Sequence, residues 1–90
     1  MENSKMTVRK ASETEIQKAK HWGTWSKEVS VFNWEYDETE TCYIIEGKAE
    51  VSDADGNKIE FQAGDLVKFE KGLHCTWKIT SPILKRYLFG

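Results

Sequence analysis

The sequence predicts an all-β domain, a sandwich or barrel with one short N-terminal helix. Three observations carry that prediction. From Lys27 onward, short runs of β-forming residues are separated by turn signals at close spacing, among them "DADGN", "AGD" and "EKG", the pattern of strands joined by tight turns. No helical pattern lies between those runs, which argues against a parallel βαβ sheet. Finally, the 90 residues hold 4 Trp, 4 Phe and 3 Tyr, large side chains that can build a core in a chain with room for only one.

Each element has its own signal. The first ten residues are polar and read as an extended or frayed arm, so an arm over 1–11 precedes a domain over 12–90. Ser12 and Glu15 stand in the S-x-x-E spacing of a capping box, which predicts a short helix over about 13–20. Ile16, Ala19 and the stem of Lys20 would face the core, and Gly23 ends the element. In "KEVSVFNWEY", Val29, Val31 and Asn33 share one parity and Phe32, Trp34 and Tyr36 the other. The aromatic set suits a packed or cavity-lining face.

"TETCYIIEGKAEVSD" reads as a strand, a break at Gly47 and a second strand. Asp55-Gly56 is a strong hairpin signal, and "KIEFQ" and "DLVKFE" are short strands joined by "AGD". After a turn at Gly72, "LHCTWKIT" alternates strictly. Leu73, Cys75, Trp77 and Ile79 take one face, His74, Thr76 and Lys78 the other. Pro82 interrupts before a last strand, "ILKRYLF", giving about eight short strands in all.

Composition removes several functions. Thirteen basic and fifteen acidic residues leave a net charge of −2, without the basic stripe of a nucleic-acid binder. No run of eighteen apolar residues offers a membrane span, and "MENSKMTVRK" has no apolar signal core. The expectation is a soluble, cytoplasmic protein. Cys42 and Cys75 lack any CxxC-like spacing, and in such a compartment they read as free thiols.

Two stretches carry a resemblance. "ETCYIIEGKAEV" (40–51) resembles the end of the first cupin motif, where a glutamate precedes Y-[VI]-[LI]-x-G and a strand. "GDLVKFEKGLHCTW" (64–77) resembles the second, G-D-x-[VL]-x-[FI]-P-x-G-x-x-H, at the interval of about twenty residues that a minimal cupin shows. Taken with "W-x-x-W" at Trp22/Trp25 and "F-x-W-x-Y" at Phe32/Trp34/Tyr36, the chain is similar to small single-domain cupins. The group it resembles is that of the (S)-ureidoglycine aminohydrolase-like cupin domain, which includes ethanolamine-utilisation-type proteins. The resemblance covers residues 20–89 and implies a jelly-roll β-barrel with metal and substrate at its mouth, a common place for a ligand site.

The resemblance also implies a ligand set of His-x-His and Glu from the first motif and His from the second. Here the glutamate is Glu40. The His-x-His pair falls on Trp34/Tyr36 or Asn33/Glu35, the last His on Cys75, and the usual Pro on Glu70. Alternation turns His74 away from the face that Cys75 uses. Glu40, Cys42 and Cys75 are the candidate metal ligands, joined by Glu35 or Tyr36. That set matches His-rich iron, manganese or copper sites poorly, although zinc accepts sulfur and oxygen donors.

Without a metal, a pocket lined by Trp34, Tyr36, Glu40, Cys42, Cys75 and Trp77 would hold a carboxylate, two thiols and aromatic walls. Phe32 and Trp22 read instead as core. A carboxylate among rings suits a general acid or base, so Glu40 and Cys75 are the catalytic candidates. Glu40 has an alternative reading as a structural residue bonded to a turn or to Tyr36. A Cys–His nucleophile is disfavoured, because His21, at the far end of the helix, is the only histidine besides His74. Lys71, Lys85 and Arg86 either draw an anion to the mouth or form a solvated rim.

Three functions follow: a small-molecule-binding cupin, a metal-dependent enzyme resembling ureidoglycine aminohydrolase, or a non-catalytic dimerising or docking module. A homodimer is the expected assembly for so small a core.

Overall fold

A computed structural model describes residues 5–90. Strands β1 (Met6–Lys10), β2 (Gly23–Lys27), β3 (Ser30–Glu35), β4 (Glu40–Asp53), β5 (Lys58–Gln62), β6 (Asp65–Phe69) and β7 (His74–Phe89) follow in order, with helix α1 (Glu13–Ala19) between β1 and β2. All pairings are antiparallel. β4 and β7 lie side by side along nearly their whole length, from Glu40↔Phe89 to Asp53↔Cys75. Each long strand then serves two partners on its other edge. β4 pairs β6 over Glu40–Tyr43 and β5 over Lys48–Ser52, while β7 pairs β2 over Ile83–Tyr87 and β3 over His74–Ile79. β1 completes the β6 edge.

Because β4 and β7 are shared, the sheet has two halves, and bending the spine lays one half over the other. The bend lies at register shifts between Ile44 and Ala49. Gly47 sits there with φ +97°, and a Cβ built on it would stand 2.1 Å from the Pro82 carbonyl oxygen. Only glycine permits that approach. Gly47 and Pro82 were expected to divide strands; instead they face each other across the bend of two continuous ones. The reason is that a bulge accommodates both a positive φ and a residue with no N–H. The described residues therefore form seven strands rather than about eight.

The closed barrel is filled by aromatic side chains. Trp77, 2% exposed, is the hub: its ring lies 5.4 Å from Phe61, 5.5 Å from Phe69, 5.9 Å from Phe32 and 6.0 Å from Trp25. Those rings come from four other strands, so one side chain ties both halves together at geometries that aromatic pairs favour. Leu73, Cys75 and Ile79 are buried on the same face and His74 and Lys78 are exposed on the other, as the alternation requires.

At the N-terminal end the capping box forms as expected. The Ser12 hydroxyl accepts from the Glu15 backbone and the Glu15 carboxylate accepts from the Ser12 backbone. Glu15 also takes both guanidinium arms of Arg9, tying α1 to β1. That bond, with the Ser12 backbone bond, lowers the Glu15 carboxyl to about 2. Ala19 is buried and Ile16 half-buried, whereas Lys20 is exposed rather than packed on the core. Met6–Lys10, the second half of the expected arm, is extended and paired with β6, with Met6 buried. Asp55-Gly56 makes the β4–β5 hairpin, closed by the Asp53 carboxylate accepting from the Asp55 and Asn57 backbones and the Asn57 amide.

Candidate functional site

The inward face of the barrel ends in a cavity of about 220 Å³, open to solvent, lined by Trp25, Phe32, Trp34, Tyr36, Glu40, Trp77, Lys85, Tyr87 and Phe89. Seven of those nine residues are aromatic. Alternation on three strands assembles them: Phe32 and Trp34 on β3, Trp77, Lys85, Tyr87 and Phe89 on β7, and Trp25 on β2. Trp34 and Phe89 are half exposed, at 54% and 51%, and form the rim.

Two charged residues lie inside. Glu40 begins β4 and Lys85 comes from β7; they are 4% and 5% exposed. Lys85 Nζ donates to Glu40 Oε2 at 2.8 Å, and the same ammonium sits 4.8 Å from the Trp25 ring and 4.9 Å from the Trp77 ring. An ammonium against two ring faces is attracted by their quadrupoles, by about 2 kcal/mol or more where water is excluded. Glu40 is thus neither a lone carboxylate among rings nor bonded to Tyr36 or a turn. Its partner is a lysine.

Beside the pair, Tyr36 stacks on Phe69 at 4.9 Å and 8° and its hydroxyl oxygen accepts from Trp77 Nε1 at 3.2 Å. Burial, and next the Glu40 charge, push the phenol well above its ordinary range, so it keeps its proton and can donate.

Of the six pocket residues expected from sequence, Trp34, Tyr36, Glu40 and Trp77 meet at this cavity. Cys42 and Cys75 are both buried, as their inward parity demands, but neither lines this cavity. Cys42 is sealed in the core, and burial, opposed by Lys85 and helped by Glu40, moves its thiol up to about 12. Cys75 is buried beside a separate open groove lined also by Asn33, Trp34, Glu35, Ser52, Asp53, Ala54, His74 and Thr76. Its Sγ lies 3.6 Å from the Trp34 carbonyl oxygen. Burial, then Asp53, raises that thiol to about 11, the opposite of an activated nucleophile.

The same separation bears on a metal. Glu40, Cys42 and Cys75 were the candidate ligands; the Glu40 carboxylate is held by Lys85, and the thiols lie in the core and at the groove. Among the described residues no three His, Cys, Asp or Glu side chains come together as a metal site. The donor set does not fit a divalent cation.

Sequence reasoning left five lining residues out of its pocket set. Tyr87 and Phe89 were not weighed, Trp25 was named among the rings able to stack a ligand but not chosen, Phe32 was expected to be core, and Lys85 was expected on a solvated rim or at the mouth. A signal existed for Lys85: Cys75, Trp77, Ile79, Ile83, Lys85 and Tyr87 share one parity through Pro82. The supposed break there, and the rarity of a buried lysine, concealed it. Arg86, on the opposite parity, donates to the Trp22 carbonyl at 3.1 Å, and Lys71 is exposed.

Comparison with known proteins places the chain. A DUF861 family protein of Thermotoga maritima is 44% identical, with a TM-score of 0.91 over 94% of this chain and 99% of that one. A putative ethanolamine utilization protein Q of Salmonella typhimurium LT2 is 19% identical at a TM-score of 0.67, over 96% of this chain and 58% of that one. The Clostridium difficile EutQ protein is 19% identical at 0.68, over 91% and 66%. At that identity the last two show the cupin fold alone. No curated protein matches. The family model described as the EutQ-like cupin domain matches residues 14–87, and the chain therefore belongs to the EutQ-like cupin domain family.

Proposed function

We propose that this cupin binds a small molecule in the aromatic cavity at the barrel mouth. The apolar body of the ligand lies against Trp25, Trp34 and Trp77, and its polar end meets Glu40, Lys85 and Tyr36. The observation that carries this reading is the buried Glu40–Lys85 pair at the wall of an open cavity. Buried ion pairs are seldom needed for stability, since well-packed apolar residues serve as well. An apolar pocket with a few convergent polar groups has the makeup of a ligand site. At about 220 Å³ it lies below the usual ~300–1,000 Å³ range of ligand pockets, so the ligand is small.

No reaction is part of this reading. The resemblance to ureidoglycine aminohydrolase implies a metal, and the residues that would hold one are apart. The test uses the four indole N–H signals in a nitrogen–proton correlation spectrum. Trp25, Trp34 and Trp77 line the cavity, whereas Trp22 lines a different groove beside α1. Titration with a library of small ring compounds should yield binders that move the first three signals and leave Trp22 in place. A library that moves none of them, or moves Trp22 alone, would defeat the proposal.

A further inference from the structure

Resting on that reading of the cavity, the arrangement of its polar atoms defines the class of ligand. Lys85 satisfies Glu40 through one oxygen, Oε2, and among the described residues no group donates to Oε1. Among the described residues, no fully buried side-chain nitrogen or oxygen lacks a partner, so Oε1 is not sealed off, and Glu40 lines the cavity. The Lys85 ammonium uses one of its three protons on Glu40 and turns toward two ring faces. Tyr36 accepts from Trp77 and has its own proton to give. The cavity thus presents an acceptor, Glu40 Oε1, next to donors on Lys85 and Tyr36.

The two charges cancel. An anionic ligand would meet Lys85 already neutralised and Glu40 repelling it; a cationic one would meet the reverse. Either would carry an unbalanced charge into a space walled by seven aromatic residues, where desolvation is penalised. A neutral group with a donor and an acceptor side by side satisfies Oε1 and the donors together and brings no net charge. We infer that the cavity selects small, net-neutral, planar compounds bearing an adjacent donor and acceptor, as in a primary amide or lactam on an apolar ring.

Three near-isosteric probes separate the alternatives: benzamide, benzoate and benzylamine, titrated calorimetrically into the full chain with the indole signals reporting location. Benzamide should bind at least about tenfold tighter than either charged probe, moving the signals of Trp25, Trp34 and Trp77. Glu40→Gln leaves Lys85 unopposed and should turn the preference to benzoate, and Lys85→Met should turn it to benzylamine. If either variant fails to fold, the wild-type ranking and the double variant Glu40→Gln/Lys85→Met decide, the latter losing most benzamide affinity. Tightest binding of a charged probe at the same three indoles would overturn the inference and leave small-molecule binding standing. Failure of all three probes to bind would overturn it too, while the broader library decides the proposed function itself.

Discussion

Lys85→Met removes the ammonium and keeps an unbranched apolar stem of similar length. It leaves the Glu40 carboxylate, 4% exposed, facing aromatic rings with no cation at 2.8 Å. Removing one partner of a buried pair costs about 3–5 kcal/mol, because the remaining charge stays desolvated. The chain also loses the two ring contacts of Nζ at 4.8 and 4.9 Å, partly replaced by the polarisable methionine sulfur. A domain of 90 residues has a total stability of roughly 5–13 kcal/mol, so the single change removes a large share of it. With about 4–8 °C lost per kcal/mol at this size, the midpoint should fall by at least about 12 °C. Glu40→Gln/Lys85→Met should recover most of the loss, since no buried charge remains. The assay is urea unfolding of wild type, both single variants and the double, compared in a double-mutant cycle. A Lys85→Met cost below about 1 kcal/mol, or a double variant as unstable as the worse single, would refute the reasoning. Either result would mean that the pair is solvated and uncoupled.

Other outcomes follow from the same geometry. With the Cys75 thiol at about 11 and Cys42 at about 12, roughly one Cys75 in a thousand is thiolate at pH 8. Neither cysteine should react with iodoacetamide in the native protein, and both should react in denaturant. Unfolded thiols ionise near 9, so their contribution to stability is complete below about pH 9. It falls as pH rises toward 11–12, at up to about 1.4 kcal/mol per pH unit per thiol, and Cys42→Ala/Cys75→Ala should flatten that decline in alkaline urea titrations. Gly47→Ala meets both a positive φ and the Pro82 carbonyl and should cost more than about 3 kcal/mol or prevent folding. Gly56→Ala, with φ +88° and open space, should cost only about 1 kcal/mol, and thermal melts compare the two. Elemental analysis of untagged protein should find no stoichiometric divalent metal that depends on Glu40 and Cys75 together.

Much of the barrel was written in local pattern. Strict alternation through Leu73–Ile79, the S-x-x-E cap and the Asp-Gly hairpin each depend on neighbours a few residues away, and the structure contains all three. The continuity of β4 and β7 was hidden because Gly47 and Pro82, taken singly, signal strand ends. They are compatible with strands only through each other, across a bend that no local window contains. The site divided in the same way. Parity correctly turned Glu40, Cys42, Cys75 and Trp77 inward, but parity gives a face and not a depth. Cys42 is sealed in the core, Cys75 lies beside a separate groove, and of these four only Glu40 and Trp77 line the cavity. Lys85 was expected at the mouth or on a solvated rim, and not buried in an ion pair. Its burial is explained by a carboxylate from β4 and two tryptophans on β2 and β7, partners that converge only when the barrel closes.

Whether the mouth cavity, with its Glu40–Lys85 pair, receives a small ligand is decided by a crystal of the protein soaked with the tightest-binding ring compound. Density for that compound should lie between Trp25, Trp34 and Trp77, its polar edge within hydrogen-bond distance of Glu40 Oε1 and of Lys85 or Tyr36. Trp34 and Phe89 folded inward over a filled cavity, with the compound bound elsewhere or absent, would contradict it.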